Sequence, residues 1–252
     1  MNAWAALVAE LDRWADRGRT ATFWWRDDDA AQAVPALDRL LHLAETTPLA
    51  LAVIPAAAEP ALAERAAAAP ETVTVVQHGY AHRNHAAAGA RKCELGPERP
   101  AAAVLAELGR GLARLRALFG DRLRAVLVPP WNRIGGGVVA GLAELGFVGL
   151  SAYGPRPASA PPPVRVNTHV DLVDWRGTRG FVGDEAALAL ALRHLAGRRE
   201  HALPAAEPTG LLTHHRNHDD DAWHFVARLH DAVAAHPAGR WLSVDRAFGL
   251  AS

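Results

Sequence analysis

Cysteine is almost absent from this chain of 252 residues, in which Cys93 is the single one. One cysteine cannot form an intramolecular disulfide, and it excludes a cysteine-rich zinc cluster. Net charge is absent as well, because 27 Lys and Arg residues balance 27 Asp and Glu residues. A chain without net charge gives no electrostatic reason to expect a nucleic-acid partner, and none is expected.

Long hydrophobic runs are also missing. Charged residues interrupt every apolar run well before the roughly 20 residues that a transmembrane helix needs, so no integral membrane segment is expected. The stretch Met1–Arg19 mixes apolar and charged side chains and lacks the uninterrupted apolar core of a secretory signal. The expected location is therefore the cytoplasm. Nothing in the sequence marks an oligomer interface.

Short apolar segments alternate with longer Ala- and Leu-rich segments along the whole chain, which predicts a single domain over residues 1–252. The predicted strands are 20–26, 49–54, 72–77, 124–128, 147–151, 164–168, 210–214 and 241–244. The predicted helices are 3–16, 33–44, 60–68, 101–119, 136–145, 185–195, 220–235 and 244–250. This alternation favours an α/β fold of parallel strands covered by helices. Seven or eight such units close naturally into a barrel, and a doubly wound open sheet is the alternative.

Polar clusters follow four of the predicted strands at the point where each strand ends. They are Asp27–Asp29, the residues from His78, Pro129–Asn132 and the residues from His214. Sites in parallel α/β folds form at the carboxyl ends of the strands. The four clusters therefore indicate one shared site.

Two of these clusters have the composition of a metal site. His78 and His82 are four residues apart, a spacing that puts two imidazoles on one face of a helical turn. Zinc accepts two histidines and one carboxylate while leaving positions open. Taken singly, the aspartates could cap a helix and the histidines could lie on the surface. Together they predict a divalent metal, most readily Zn²⁺.

The clusters also occur in an order that resembles the motifs of the polysaccharide deacetylases, carbohydrate esterase family four with its NodB-like homology domain. The match covers about residues 20–215 and is carried by Asp28-Asp29, His78-x-x-x-His82, Asp171-x-x-Asp174-Trp175 and Leu212-Thr213-His214. The resemblance implies a distorted (β/α) barrel, usually of seven strands. It also implies a metal-dependent hydrolase that removes an acetyl group from the nitrogen of an amino sugar.

By position in those motifs, the resemblance implies a role for each residue. Asp29, His78 and His82 would be the metal ligands, Asp28 the catalytic base and His214 the general acid. The remaining positions would support these residues. Asp174 would tune the pKa of His214, and Trp175 and Leu212 would form the apolar wall around it. The backbone N–H of Trp131 would stabilise the oxyanion. Trp25 and Trp131 are also predicted at the mouth of the site, where their rings could stack on a sugar.

Two departures from the family pattern leave questions open. The third motif usually carries an arginine that steadies the base, and Val128 stands in its place here. Arg26 and Arg133 are the candidate substitutes. The first motif reads Asp-Asp-Asp-Ala where the family has Asp-Asp-Gly, so the base and ligand could be Asp27 and Asp28 instead of Asp28 and Asp29.

Three functions are compatible with these features. The first is deacetylation of an N-acetylated sugar. The second is hydrolysis of a cyclic or small amide, as in the allantoinase- and imidase-like relatives that the family includes. The third is an inactive carbohydrate-binding relative, which the missing third-motif arginine would favour.

Overall fold

The computed structural model describes residues 2–157 and 162–250, which form one curled sheet surrounded by helices. All paired strands of the sheet are parallel, and their order is β6-β5-β4-β3-β2-β1-β8-β7, with β9 also paired to β1. The strands are β1 (Ala21–Ala30), β2 (Leu49–Val53), β3 (Val73–His78), β4 (Leu123–Val128), β5 (Gly149–Leu150), β6 (Val164–Arg165), β7 (Val170–Asp171), β8 (Thr209–Thr213) and β9 (Gly239–Trp241).

The described ranges contain eight α-helices, and several begin at residues that favour a helix start. The helices are α1 (Ala3–Ala15), α2 (Pro35–Leu43), α3 (Pro60–Ala68), α4 (Ala101–Phe119), α5 (Gly136–Gly141), α6 (Asp184–Arg199), α7 (Asp220–Ala235) and α8 (Val244–Phe248). The Asp219 side chain accepts the Ala222 N–H at 2.8 Å and so caps α7. Helices α2 and α3 each start with a proline, whose missing N–H costs nothing in the first turn.

Two hydrophobic cores lie on opposite faces of the sheet. The larger, outer core fills the space between the sheet and the helices. The smaller, inner core joins side chains of β1 to β4 with Val166 and with two residues of α8. A single inner cluster that collects residues from four successive strands and from α8 requires the sheet to curl around it. The prediction of a distorted barrel of parallel strands with outer helices is therefore confirmed.

The differences from the predicted elements fall mainly in the second half of the chain. Strands β5 and β6 are two residues long, and β7 was not predicted as a separate strand. Strand β1 continues through the aspartates to Ala30 instead of ending before them. Among the described helices, none combines the length and the apolar character needed to cross a membrane.

Candidate active site

Strand β1 delivers its aspartates to the carboxyl end of the sheet in different directions. Side chains alternate along a strand, so Trp24 packs in the inner core while Trp25 packs in the outer one. The same alternation turns Asp28 inward and Asp27 outward. Asp29 departs from it with a φ of 69°, close to a register shift in the pairing with β2. As a result, Asp28 and Asp29 line the same cavity.

The structure brings together Asp29, His78 and His82. The Oδ1 atom of Asp29 lies 3.0 Å from Nε2 of His78 and 3.2 Å from Nε2 of His82. All three candidate ligand atoms lie within 4.8 Å of one another. Ligands about 2.0–2.1 Å from a tetrahedral zinc ion stand about 3.3 Å apart. The observed spacing is therefore suited to one divalent ion.

The hydrogen bonds of His78 also suit a metal ligand. Its Nδ1 donates to the Val128 carbonyl at 3.0 Å, which leaves Nε2 as the nitrogen that faces Asp29. Metal-ligating histidines usually donate their other N–H to a carbonyl or a carboxylate in this way. Burial acts to raise the pKa of Asp29, but the hydrogen bond and charge of His78 hold it well below its ordinary value. The donor set is thus anionic and oriented.

A second group of possible ligands has hydrogen bonds that do not suit a metal site. His169, His194 and Glu207 are buried, and their ligand atoms also lie within 4.8 Å of one another. However, the Gly210 N–H donates to Nδ1 of His169 at 3.0 Å. A neutral ring that accepts at Nδ1 carries its proton on Nε2, the nitrogen that faces Glu207 at 3.7 Å. This group is therefore a buried polar network and is not a metal site.

Arg26 fixes the carboxylate of Asp28 from the same strand. Its Nε donates to Oδ1 of Asp28 at 2.8 Å and its Nη2 donates to Oδ2 at 3.0 Å. The remaining donors of the buried guanidinium go to Ser151, to the Ala152 carbonyl and to Asn132. Two parallel hydrogen bonds set both the position and the orientation of a carboxylate. Arg133, the other candidate for this role, instead donates to the Lys92 carbonyl.

Asp27 lies outside the cavity and is fully buried against β8 and the turn that follows it. It accepts hydrogen bonds from the Thr213 hydroxyl at 2.7 Å and from the His215 N–H at 2.9 Å. Its Oδ1 atom also lies 2.6 Å from Nδ1 of His215. Burial acts to raise the pKa of Asp27, but the charge of His215 lowers it below its ordinary value. With Asp27 engaged there, Asp28 and Asp29 are the pair that the cavity presents.

His214 lies across the cavity, beside Asp171 and Trp175. The indole N–H of Trp175 donates to Oδ2 of Asp171 at 2.9 Å, and its ring meets the His214 ring edge-on at a centroid distance of 4.8 Å. Burial raises the pKa of Asp171, while the nearby His214 acts in the opposite direction. Trp175 therefore links the imidazole of His214 to the carboxylate of Asp171.

The structure does not support the interpretation of Asp174 as the partner of His214. The Asp174 carboxylate accepts the backbone N–H groups of Arg176, Gly177 and Thr178 at 2.9–3.3 Å and stabilises the turn after β7. It is not among the residues that line the cavity. Asp171, three residues earlier in the same motif, is the carboxylate that shares the cavity with His214.

Two apolar residues predicted to bind substrate also have different surroundings from those expected. The prediction that Trp25 lies at the site mouth is wrong: the side chain is 1% exposed, and its N–H donates to Thr213. Strand alternation turns Trp25 towards the helices, so it cannot reach the cavity. Leu212 is fully buried in β8, two positions before His214. It does not line the cavity.

The cavity has a volume of about 650 Å³ and opens at the carboxyl ends of the strands. Trp131 lines it, and its ring lies 4.4 Å from that of His82 between centroids. Both Trp131 and Asn132 adopt positive φ angles, of 54° and 57°, in the turn that follows β4. This turn directs the Trp131 side chain to His82 and the Asn132 side chain to Arg26.

Glu94 supports the site in a way that the sequence did not reveal, since it resembled a solvated acid in a His- and Gly-rich loop. The side chain is buried and accepts the N–H groups of Tyr80 at 3.1 Å and of Ala81 at 2.7 Å. The segment between the two histidines is consequently an irregular turn, and the helical turn expected from their spacing is wrong. Gly79 enters this turn with a φ of 53°, and a Cβ there would clash with Glu94 and with Pro130.

No family model matches the sequence, and no protein with a curated function matches it. Solved structures do match. A Mycobacterium smegmatis protein described as a polysaccharide deacetylase is 18% identical with a TM-score of 0.60, over 90% of this chain and 87% of the other. The chitin deacetylase of Colletotrichum lindemuthianum is 15% identical with a TM-score of 0.58, over 92% and 89% of the two chains.

A third similar structure contains a metal. The family 4 acetyl xylan esterase of Clostridium thermocellum, solved with a cobalt ion, is 10% identical with a TM-score of 0.52 over 91% of both chains. Since identities are this low, these likenesses establish the fold alone. The chain has the fold of the polysaccharide deacetylases, which agrees with the resemblance seen in its motifs.

Proposed function

We propose that this protein is a metal-dependent hydrolase that removes an acetyl group from the nitrogen of an N-acetylated sugar or a related amide. The observation that carries the proposal is the placement of two kinds of group around one cavity. Asp29, His78 and His82 stand beside a clamped Asp28, and His214 lies across from them. Amide hydrolysis needs a base for water and an acid for the departing amine, and the two sides of the cavity supply them.

The group of Asp29, His78 and His82 would hold the metal, and Zn²⁺ is the ion that two imidazole nitrogens and one carboxylate oxygen suit best. When bound, such an ion supplies Lewis-acid chemistry, which polarises a carbonyl and makes water more acidic. The protein contributes the orientation: the Val128 carbonyl fixes the ring of His78, and Glu94 holds the turn that leads to His82.

Asp28 would act as the base that accepts a proton from the attacking water. Both of its oxygens already accept one hydrogen bond from Arg26, so the carboxylate cannot rotate. A carboxylate oxygen has two lone pairs, and each of these oxygens keeps one for the incoming proton. Because the carboxylate is already oriented, less entropy is lost when water and carboxylate reach the reactive geometry, and the activation barrier is lower.

His214 would act as the acid that donates a proton to the departing nitrogen. Its ring is largely buried and lies against Trp175, while its Nδ1 has no hydrogen-bond partner within the described part of the chain. The backbone N–H of Trp131 is the candidate donor to the oxyanion that forms on the acyl oxygen. The clamp by Arg26 argues against an inactive binding module, because it provides the guanidinium that Val128 fails to provide.

The test combines metal content with turnover on purified protein. We expect about one divalent ion per chain, and acetate release from N-acetylglucosamine or its oligomers. The panel includes cyclic amides, whose preferred hydrolysis would favour the second function left open by the sequence. Turnover on none of these substrates by the metal-loaded protein would overturn the proposal. The cytoplasmic location stays a prediction, tested by cell fractionation.

The three aspartates provide matched variants for the same test. Asp29→Asn should lower metal affinity itself, because it removes an anionic ligand. Asp28→Asn should retain the metal and lose about 10²–10⁴-fold in rate, the usual range for a lost acid–base group. Asp27→Asn, the control on the outer face, should destabilise the fold with little direct effect on chemistry. Loss of metal in Asp28→Asn, with metal retained in Asp29→Asn, would reverse the assigned roles.

A further inference from the structure

Five basic side chains line the cavity near its mouth, and they come from three separate loops. Arg91 and Lys92 follow β3, Arg133 follows β4, and Arg176 and Arg179 follow β7. Strands β3 and β4 are neighbours, whereas β7 lies at the far end of the sheet order. The curl of the sheet therefore gathers cations from distant segments of the chain around one opening.

The partners of these five side chains show whether their charge is available to a ligand. None of the five forms an ion pair with a carboxylate in the described ranges 2–157 and 162–250. By contrast, Arg124 pairs with Asp245 at 2.6 Å and Arg99 pairs with Glu107 at 2.7 Å. In a chain of zero net charge, this rim is a local excess of positive charge. The cavity is also lined by Asp28, Asp29 and Asp171. Asp28 is paired with Arg26, so five cations face two further carboxylates and an excess of positive charge remains.

The backbone that carries the rim is ordered by specific contacts. The guanidinium of Arg133 donates to the Lys92 carbonyl at 2.7 Å, and the ammonium of Lys92 lies 5.9 Å from the centre of the Trp131 ring. On the other side, the Asp174 carboxylate holds the turn that carries Arg176. The N–H of Arg179 donates to the Asp174 carbonyl at 2.9 Å. These contacts order the backbone at four of the five cations, which are Lys92, Arg133, Arg176 and Arg179.

We propose that the substrate carries a phosphate group next to its N-acetylated sugar, and that this rim binds the phosphate. The proposal rests on the proposed function. Arginine donates paired hydrogen bonds in a geometry that matches phosphate oxygens, and a cleft lined by one sign of charge concentrates ligands of the opposite sign. Five cations provide more positive charge than a substrate with a single carboxylate would require. A cavity of about 650 Å³ suits a small molecule.

The experiment compares N-acetylglucosamine with its 1-phosphate, free in solution and attached to a short polyprenyl carrier. We expect kcat/KM to favour the phosphorylated sugar, with a preference that weakens as ionic strength rises. A preference for the carrier-bound form would identify a lipid-linked source, and a preference for the free form a soluble one. An equal kcat/KM of the wild-type protein for the neutral and the phosphorylated sugar would overturn this proposal and leave the deacetylase function intact.

Variants of the rim supply a second readout that does not depend on turnover. In the background of Asp28→Asn, calorimetry should show that Arg176→Ala/Arg179→Ala weakens binding of the 1-phosphate by about 10- to 100-fold. Binding of the neutral sugar should weaken less. The matched control is Arg240→Ala, an exposed arginine of β9 near the opposite end of β1, which should leave both affinities unchanged. Equal losses for the phosphorylated and the neutral sugar would overturn the inference even if no substrate is turned over.

Discussion

At the scale of single residues, His214 depends on a neighbour other than the one its motif suggests. Asp171 lines the same cavity and is joined to His214 through the Trp175 side chain. The Asp171 carboxylate accepts the indole N–H of Trp175, and the Trp175 ring packs against the imidazole of His214. Asp171 therefore acts on His214 through Trp175, as a positioning residue.

The prediction is that Asp171→Ala lowers kcat by about 10- to 100-fold, because it removes the acceptor that holds the Trp175 ring against His214. Asp171→Asn keeps an oxygen that can accept the indole N–H and should retain most of the rate. Asp174→Ala is the matched control from the same motif. Because Asp174 accepts only turn N–H groups, its replacement should reduce stability and leave kcat unchanged. An unchanged kcat in Asp171→Ala together with a lowered one in Asp174→Ala would restore the role that the motif suggested.

At the scale of elements, the turn between His78 and His82 is organised by Glu94, which lies on another loop. A buried carboxylate that accepts backbone N–H groups replaces the hydrogen bonds that a helix would have provided. Since Glu94 also approaches Gly79 closely, the turn has little freedom to change shape. The position of His82 relative to Asp29 is therefore a property of two loops together.

We predict that Glu94→Gln lowers metal affinity by about 10- to 100-fold, as loss of an outer partner of a metal site typically does. The amide places an NH₂ group against backbone donors, so the turn must shift and carry His82 with it. Glu98→Gln changes an exposed acid of the same loop and is the control. Competition with a chelator measures the affinity. Unchanged affinity in Glu94→Gln would show that the turn keeps its shape without the carboxylate.

The comparison of elements also shows how far the sequence determines the fold. Helices α4 and α7 have the predicted bounds, because their apolar periodicity is long and the segments are flanked by strong start and stop signals. Strands β5, β6 and β7 were poorly predicted, since a two-residue strand exists only through its neighbours. No local pattern can specify such a strand.

The same limit applies within the site. The motifs indicated which residues approach one another, because strand ends meet at one edge of a sheet. They did not reveal the outward turn of Trp25 or the positive φ of Asp29, which depend on where β1 ends and on its shift against β2. Arg26 could be considered but not chosen, because hydrogen bonds between residues two apart depend on side-chain rotamers.

At the scale of the whole molecule, several buried histidines make the fold sensitive to acid. Burial lowers the pKa of His194 to about 2, of His230 to about 3 and of His218 to about 4. These rings stay neutral in the folded protein, whereas the unfolded chain protonates them below about pH 6.5. The contribution of these rings to stability is therefore fully present above pH 6.5 and is lost as the pH falls towards their pKa values in the folded protein. At pH 5, each ring lowers the free energy of unfolding by about 2 kcal/mol relative to its value above pH 6.5.

His230 offers the clearest test, because both of its ring nitrogens are buried without a partner in the described part of the chain, between Trp25 and Trp241. We predict that His230→Leu raises the free energy of unfolding, and by about 2 kcal/mol more at pH 5 than at pH 7. Urea unfolding at the two pH values measures this difference. The same gain at both pH values would mean that the ring is protonated in the fold or accessible to solvent.

The pairing of Arg26 with Asp28 has a consequence for how such proteins are recognised. In the related motifs the guanidinium is encoded far along the chain from its carboxylate, whereas here a single strand encodes both within three positions. A search pattern that requires an arginine after β4 misses this chain, although Arg26 places a guanidinium beside Asp28. Searches that score where a functional group lies in space, whatever its position in the sequence, would find relatives of this kind.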